Sequence, residues 1–133
     1  MHRTYLLMVT AIGEGATGLL LLVVPSVLFA LLLGLEQTSP EAILVARLTG
    51  AALVAIGVTC WAGRSDKHGP ARFGLLTAVL LYDVAAAVIL ACAGLTGLTG
   101  IALWPAVVLH AALAAWCVLC IWARLSSGGL NLT

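Results

Sequence analysis

The chain has 133 residues, of which 63% are hydrophobic and 8% are charged, and its formal net charge is +1. A soluble domain carries about 25% charged residues, so this composition excludes a soluble catalytic domain. The sequence contains neither a glycine-rich phosphate loop nor a basic patch, and this excludes nucleic acid as a partner.

Four long apolar runs predict four membrane-spanning helices. A helix of about 20 residues crosses the roughly 30 Å of hydrocarbon in a bilayer. Only helices and closed barrels can span lipid, and these runs lack the alternation of barrel strands. We therefore expect an all-α fold, a single four-helix transmembrane domain over residues 1–133. The predicted spans cover residues 4–24, 42–62, 72–94 and 101–123.

The first apolar run is too long for one span, because it continues to Leu33. Pro25 divides it, and proline is tolerated in the first turn of a helix but not in its interior. We expect Thr4–Val24 to span the membrane and Ser26–Leu33 to form a short helix at the interface. One kinked, tilted helix is the alternative. Glu14 interrupts the apolar core that a cleaved signal peptide would need.

Basic residues predict the orientation of the chain. Four spans place both termini on one side of the membrane. No lysine or arginine occurs in the two connections on the other side, residues 34–41 and 94–100. The positive-inside rule then places both termini in the cytoplasm and the protein in the inner (plasma) membrane. The basic residues on the cytoplasmic side are Arg3, Arg64, Lys67, Arg72 and Arg124.

Each predicted span contains one strongly polar residue within its apolar run. These residues are Glu14, Arg47, Asp83 and His110. At 1.5 Å per residue, Asp83 lies roughly 16 Å deep, and Glu14 and His110 reach a similar level. Arg47 starts nearer the outer end, but its flexible stem can reach the others. Because buried charges face a bundle interior, we expect all four to meet in one polar cavity, with Arg47 contacting a carboxylate.

This predicted cluster allows several roles. Glu14, Asp83 and His110 are the candidates for proton handling or catalysis, since a histidine beside two acids can relay protons. The candidates for ligand binding are Arg47, Thr17 and Tyr82. As an alternative, an ion pair of Arg47 with an acid would only fix helix register.

No metal site is predicted, and the expected cofactor is none. His110 alone is compatible with a satisfied core histidine or with a haem ligand, but a second intramembrane histidine for haem is missing. Cys60, Cys117 and Cys120 are expected to be structural, because they lie in apolar helices on the reducing side of the membrane.

Two resemblances bear on function. The stretch Arg47–Gly57 has the pattern R-x-x-G-x-x-L-x-x-x-G and resembles the second helix of DoxX-like small four-helix membrane proteins. That resemblance implies a four-helix membrane fold and, for some members, a link to respiratory quinol oxidation. Glu14 is similar in plan to the first-helix glutamate of small multidrug resistance transporters, which implies proton-coupled transport. Asp83, His110 and the strong orientation bias differ from the pattern of these small multidrug resistance transporters.

The function expected from these observations is binding or handling of a small or lipophilic ligand, coupled to protonation of the buried cluster. Three alternatives stay open: a proton-coupled transporter, an intramembrane acid-base enzyme, and an accessory subunit of a larger respiratory-type membrane complex. A four-helix bundle of this length is expected to enclose little cavity, so a pocket would require a homo-oligomer.

Overall fold

A computed structural model describes residues 2–65 and 70–128 of the chain, so Lys67, one of the basic residues behind the predicted orientation, lies outside the described residues. The described residues form helices and connecting segments, without a β-strand. The five helices are α1 (His2–Val23), α2 (Pro25–Leu33), α3 (Pro40–Gly63), α4 (Pro70–Leu95) and α5 (Leu103–Gly128).

Four of these helices are long and apolar enough to cross a membrane, as the sequence predicts. Their apolar segments begin and end within two residues of the predicted spans, and a third or less of each is buried inside the protein. The segments are Arg3–Val23, Pro40–Gly63, Arg72–Leu95 and Leu103–Ala123.

The break between α1 and α2 confirms a separate short helix after the first span. Val24 has non-helical backbone angles (φ −133°, ψ 58°), and Pro25 occupies the first turn of α2. Proline fits there because it has no N–H to donate. A similar start occurs at α3, where the Ser39 hydroxyl accepts a hydrogen bond from the Ala42 amide at 3.2 Å and Pro40 follows the cap.

The long helices pack as two antiparallel pairs, α1 with α3 and α4 with α5, and fewer contacts join the pairs to each other. Between the pairs, α1 and α4 run parallel, since Thr4 contacts Arg72 and Glu14 contacts Tyr82. We call the end where α1 and α4 begin the proximal end. The end where α3 and α5 begin is the distal end.

Glycines bring α1 and α3 into close contact. A Cβ atom on Gly18 would lie 2.6 Å from the Gly50 carbonyl oxygen, and one on Gly50 would lie 2.7 Å from the Gly18 oxygen. Since both obstacles are backbone atoms, neither can move without separating the helices. Small residues at such crossings are typical of helices that associate in lipid.

The proximal half of the bundle is filled by apolar side chains and three cysteines. Its core cluster consists of Leu6, Leu7, Ala11, Cys60, Leu76, Val79, Leu113, Cys117 and Cys120. The Arg72 guanidinium donates a hydrogen bond to the Thr4 hydroxyl at 3.3 Å, between α4 and α1. Open space between the helix pairs is therefore found in the distal half.

Helix α2 is attached to the distal end of the bundle. The Ala102 amide donates a hydrogen bond to the Leu31 carbonyl at 2.8 Å, joining α2 to the segment before α5. Gly100 lies against the backbone of Leu31 and Leu32, where a side chain would collide. These contacts hold α2 beside the space between the two helix pairs.

Candidate functional site

Three of the four predicted cluster residues meet at the centre of the bundle. Glu14 comes from α1, Asp83 from α4 and His110 from α5, and one ligand-type atom of each lies within 4.8 Å of the others. Asp83 is completely buried and Glu14 is 4% exposed. The prediction that these residues share one polar site is confirmed, because similar depths on three neighbouring helices bring them together.

Asp83 and His110 form the shortest polar contact in this cluster. Nδ1 of His110 lies 2.8 Å from Oδ1 of Asp83. A carboxylate can only accept hydrogen bonds, so Nδ1 donates whenever Asp83 is ionised. This contact fixes the imidazole ring and leaves Nε2 as its second polar atom.

Glu14 has a separate partner on α4. The Tyr82 hydroxyl donates a hydrogen bond to Oε2 of Glu14 at 3.0 Å. The Tyr82 ring also meets the His110 ring edge to face, with centroids 5.7 Å apart and planes at 82°. Tyr82 therefore connects the acid of α1 to the histidine of α5. Tyr82 was predicted from the sequence as a ligand-binding residue, without a partner in the protein.

An apolar pocket of about 370 Å³ adjoins the cluster on its distal side. Tyr82 and His110 form its polar floor, and Thr17, another predicted ligand-binding residue, lines its wall. All four long helices and α2 contribute to the lining. The other lining residues are Leu21, Leu28, Phe29, Leu32, Leu33, Thr49, Leu53, Ala86, Ile89, Leu90, Ala106 and Leu109.

A pocket is present within a single chain, although a bundle of this length was expected to enclose little cavity; assembly into a homo-oligomer stays a prediction. The space exists within one chain because the two helix pairs pack tightly internally and more loosely against each other. Leu28 and Phe29 on α2 then line its distal part. No periodicity in the sequence indicated that α2 would take this position.

The prediction that Arg47 contacts a carboxylate is wrong. Arg47 is exposed. Among the described residues, the ion pair at the cluster is the one between His110 and Asp83. The face of α3 that packs inward contains Ala46, Gly50, Leu53, Gly57 and Cys60. Arg47 follows Ala46 by one residue, a rotation of about 100° around a helix with 3.6 residues per turn, which directs it away from the cluster.

Two buried oxygens near the centre of the bundle have no protein hydrogen-bond donor among the described residues. They are Oδ2 of Asp83 and the hydroxyl oxygen of Thr10, which is 1% exposed. Buried polar atoms in proteins are usually paired, so each such atom needs a physical explanation. Asp83, whose Oδ2 is unpaired, is the most deeply buried residue of the cluster.

The cysteines are separate from this site. Cys60, Cys117 and Cys120 are buried in the proximal core, whereas Cys92 is exposed. Within the described part of the chain, the group of side chains close enough to share a metal ion is Glu14, Asp83 and His110, without a thiol.

No family model, curated protein or solved structure matches this chain. The resemblance of Arg47–Gly57 to DoxX-like proteins therefore stays a prediction.

Proposed function

We propose that this protein is an integral membrane protein that binds a small lipophilic molecule in the distal pocket, with a polar group of that molecule at Tyr82 and His110 on the pocket floor. The observation that carries the proposal is the composition of the pocket. Aliphatic side chains and Phe29 line its walls, while His110 and Tyr82 lie on its floor. Ligand pockets commonly combine apolar walls with a few convergent polar groups that fix orientation.

The size of the pocket supports a small ligand. Its volume of about 370 Å³ falls near the lower end of the range of about 300–1,000 Å³ for ligand pockets. Hydrogen bonds orient its polar floor, because Asp83 contacts the imidazole and Glu14 accepts from the Tyr82 hydroxyl. Preorganised groups of this kind lower the ordering cost of binding.

The outer surface supports location in a lipid bilayer. Large apolar side chains cover the exterior of all four long helices, and examples more than 60% exposed are Ile12, Leu48, Leu81 and Val108. A monomeric soluble protein rarely exposes contiguous apolar area on this scale. A lipophilic ligand would then be able to reach the pocket from the membrane.

The inner membrane with both termini in the cytoplasm is the proposed location. Arg3, Arg64 and Arg72 lie in segments at the proximal end, and Arg64 stacks on the Trp61 ring at 4.0 Å from its centroid. The distal connections contain no lysine or arginine. The positive-inside rule favours a cytoplasmic proximal end, and tryptophan is enriched at such interfaces.

The experiment that tests the proposed function is recovery of the ligand. The full chain is purified in mild detergent, extracted with organic solvent, and the extract is analysed by mass spectrometry. Ala86 lines the pocket, and its neighbour Ala85 is exposed on the outside of α4. We expect one class of small lipophilic molecule with the wild-type protein and with Ala85→Phe, but not with Ala86→Phe. Equal recovery from both variants would contradict the proposal.

A further inference from the structure

We propose that Glu14, Asp83 and His110 bind one divalent first-row transition-metal ion of the Zn²⁺ type. This inference shares His110 with the proposed function, but it does not depend on a lipophilic ligand in the pocket. Bundle cores commonly build metal sites from inward-facing side chains on different helices, and here α1, α4 and α5 each supply one such side chain.

The geometry is close to that of a coordinated ion. The three ligand-type atoms lie within 4.8 Å of one another. Bonds of about 2.0–2.2 Å from zinc to nitrogen or oxygen, at the tetrahedral angle, place two ligand atoms about 3.3–3.6 Å apart. The widest pair must therefore close by up to about 1.5 Å to bring all three atoms onto one ion. Rotation of the side chains is enough for a change of this size. The hydrogen bond between Nδ1 of His110 and Oδ1 of Asp83 gives way when the ion binds.

Charge balance favours a dication at this position. Glu14 and Asp83 supply two carboxylates at a site with almost no exposure, and Arg47 does not reach them. Two ionised carboxylates with one histidine leave excess negative charge in a buried apolar setting, whereas two carboxylates with one divalent ion are neutral. Neutral His110 adds a nitrogen ligand without changing that balance.

The unpaired oxygen of Asp83 is a second, independent observation. Oδ2 of Asp83 is buried and receives no hydrogen bond from the described residues. A bound cation would occupy this lone-pair region and remove the cost of leaving it unpaired. The Tyr82 hydroxyl, which donates to Glu14, would act as the outer partner that orients a metal ligand.

The donor set selects the class of ion. One imidazole nitrogen with two carboxylate oxygens suits zinc, manganese or iron, whereas Ca²⁺ and Mg²⁺ prefer oxygen ligands alone and Cu⁺ prefers sulfur. Three protein ligands leave a coordination position open. His110 forms part of the pocket floor, so that position is accessible to a polar group of a pocket ligand.

The test uses Co²⁺, whose visible absorption reports its coordination, and Zn²⁺ as competitor. The full chain in detergent is freed of metal with a chelator and then titrated. We expect one Co²⁺ per chain, displaced by Zn²⁺ but not by Mg²⁺. Asp83→Asn and His110→Gln should each weaken Co²⁺ affinity at least about tenfold. Glu41→Gln, which changes an exposed acid on α3, should leave it unchanged.

Failure of this inference is distinguishable from failure of the proposed function. Ala86→Phe fills the pocket without changing a proposed ligand, so it should keep Co²⁺ binding. Wild-type protein that binds no Co²⁺, or equal affinity in wild type, Asp83→Asn and His110→Gln, would overturn the metal site whatever lipophilic molecule is recovered. Stoichiometric Co²⁺ binding by the wild type that both substitutions weaken would support it even if no lipophilic molecule is recovered.

Discussion

Asp83 on α4 and His110 on α5 are joined by a 2.8 Å contact between Oδ1 and Nδ1. The two residues face each other because α4 and α5 form an antiparallel pair, in which Gly94 also lies against Trp104. Glu14 reaches the same place from the other pair, α1 with α3. The cluster therefore depends on how the two helix pairs dock against each other. Changes at the contacts within either pair are expected to shift the positions of its members.

The first prediction concerns Asp83 and Arg47. Since these side chains form no ion pair, Asp83→Asn leaves no arginine uncompensated, and the amide keeps the shape of the carboxylate. We expect the changes in unfolding free energy of Asp83→Asn and Arg47→Gln to add within about 0.5 kcal/mol in the double variant. Thermal unfolding in detergent measures this. A destabilised Asp83→Asn rescued by Arg47→Gln would restore the structural ion-pair hypothesis.

The second prediction concerns the crossing of α1 and α3. Gly18→Ala places a methyl group against the Gly50 backbone, and we expect a loss of about 1–3 kcal/mol of stability. Gly13 on the same helix has open space around its Cβ position, so Gly13→Ala should be neutral or slightly stabilising. Chemical unfolding followed by circular dichroism compares the two. Equal stability of both variants would contradict the close packing.

The third prediction concerns the hydrogen bond between Tyr82 and Glu14. Tyr82→Phe removes the donor and leaves a buried carboxylate oxygen unpaired, which should cost about 1–3 kcal/mol of stability. The matched control is Tyr5→Phe, because Tyr5 is 53% exposed and should contribute little. Melting temperatures of the two variants in the same detergent provide the comparison. A Tyr82→Phe protein as stable as wild type would argue against the bond.

The fourth prediction concerns topology. Reporter domains fused to the first or the last residue should both read as cytoplasmic, since five of the six lysine and arginine residues are on the side of the termini, Arg47 being the exception. A reporter inserted in the distal connection at 96–99 should read as external. A mixed population in either assay would contradict a single orientation and would favour a dual-topology transporter.

Some of the site follows directly from the sequence and some does not. Chain length, apolar runs and Pro25 were sufficient to predict the helices. The helical rise per residue was sufficient to predict that Glu14, Asp83 and His110 lie at one depth and meet. Depth says nothing about rotation, however. Arg47 was expected to face the bundle interior because buried charges usually do, whereas the inward position on that turn of α3 is taken by its neighbour Ala46. The predicted proton handling by the cluster stays a prediction.

The pocket could not be predicted because it depends on how separate elements dock. Leu28 and Phe29 belong to a uniformly apolar short helix, whose pattern gives no preferred face. The bond between Glu14 and Tyr82 likewise connects residues 68 positions apart. Contacts of this kind depend on the relative position of the two helix pairs, which no local pattern specifies.

The most direct test of the central claim is a binding measurement on two neighbouring substitutions. The lipophilic molecule recovered from the wild-type protein is titrated, by native mass spectrometry or fluorescence, into wild type, Ala85→Phe and Ala86→Phe. We expect wild-type affinity for Ala85→Phe, which adds a ring on the outside of α4, and loss of binding for Ala86→Phe, which fills the pocket. Unchanged binding to a folded Ala86→Phe protein would contradict a ligand site between the two helix pairs.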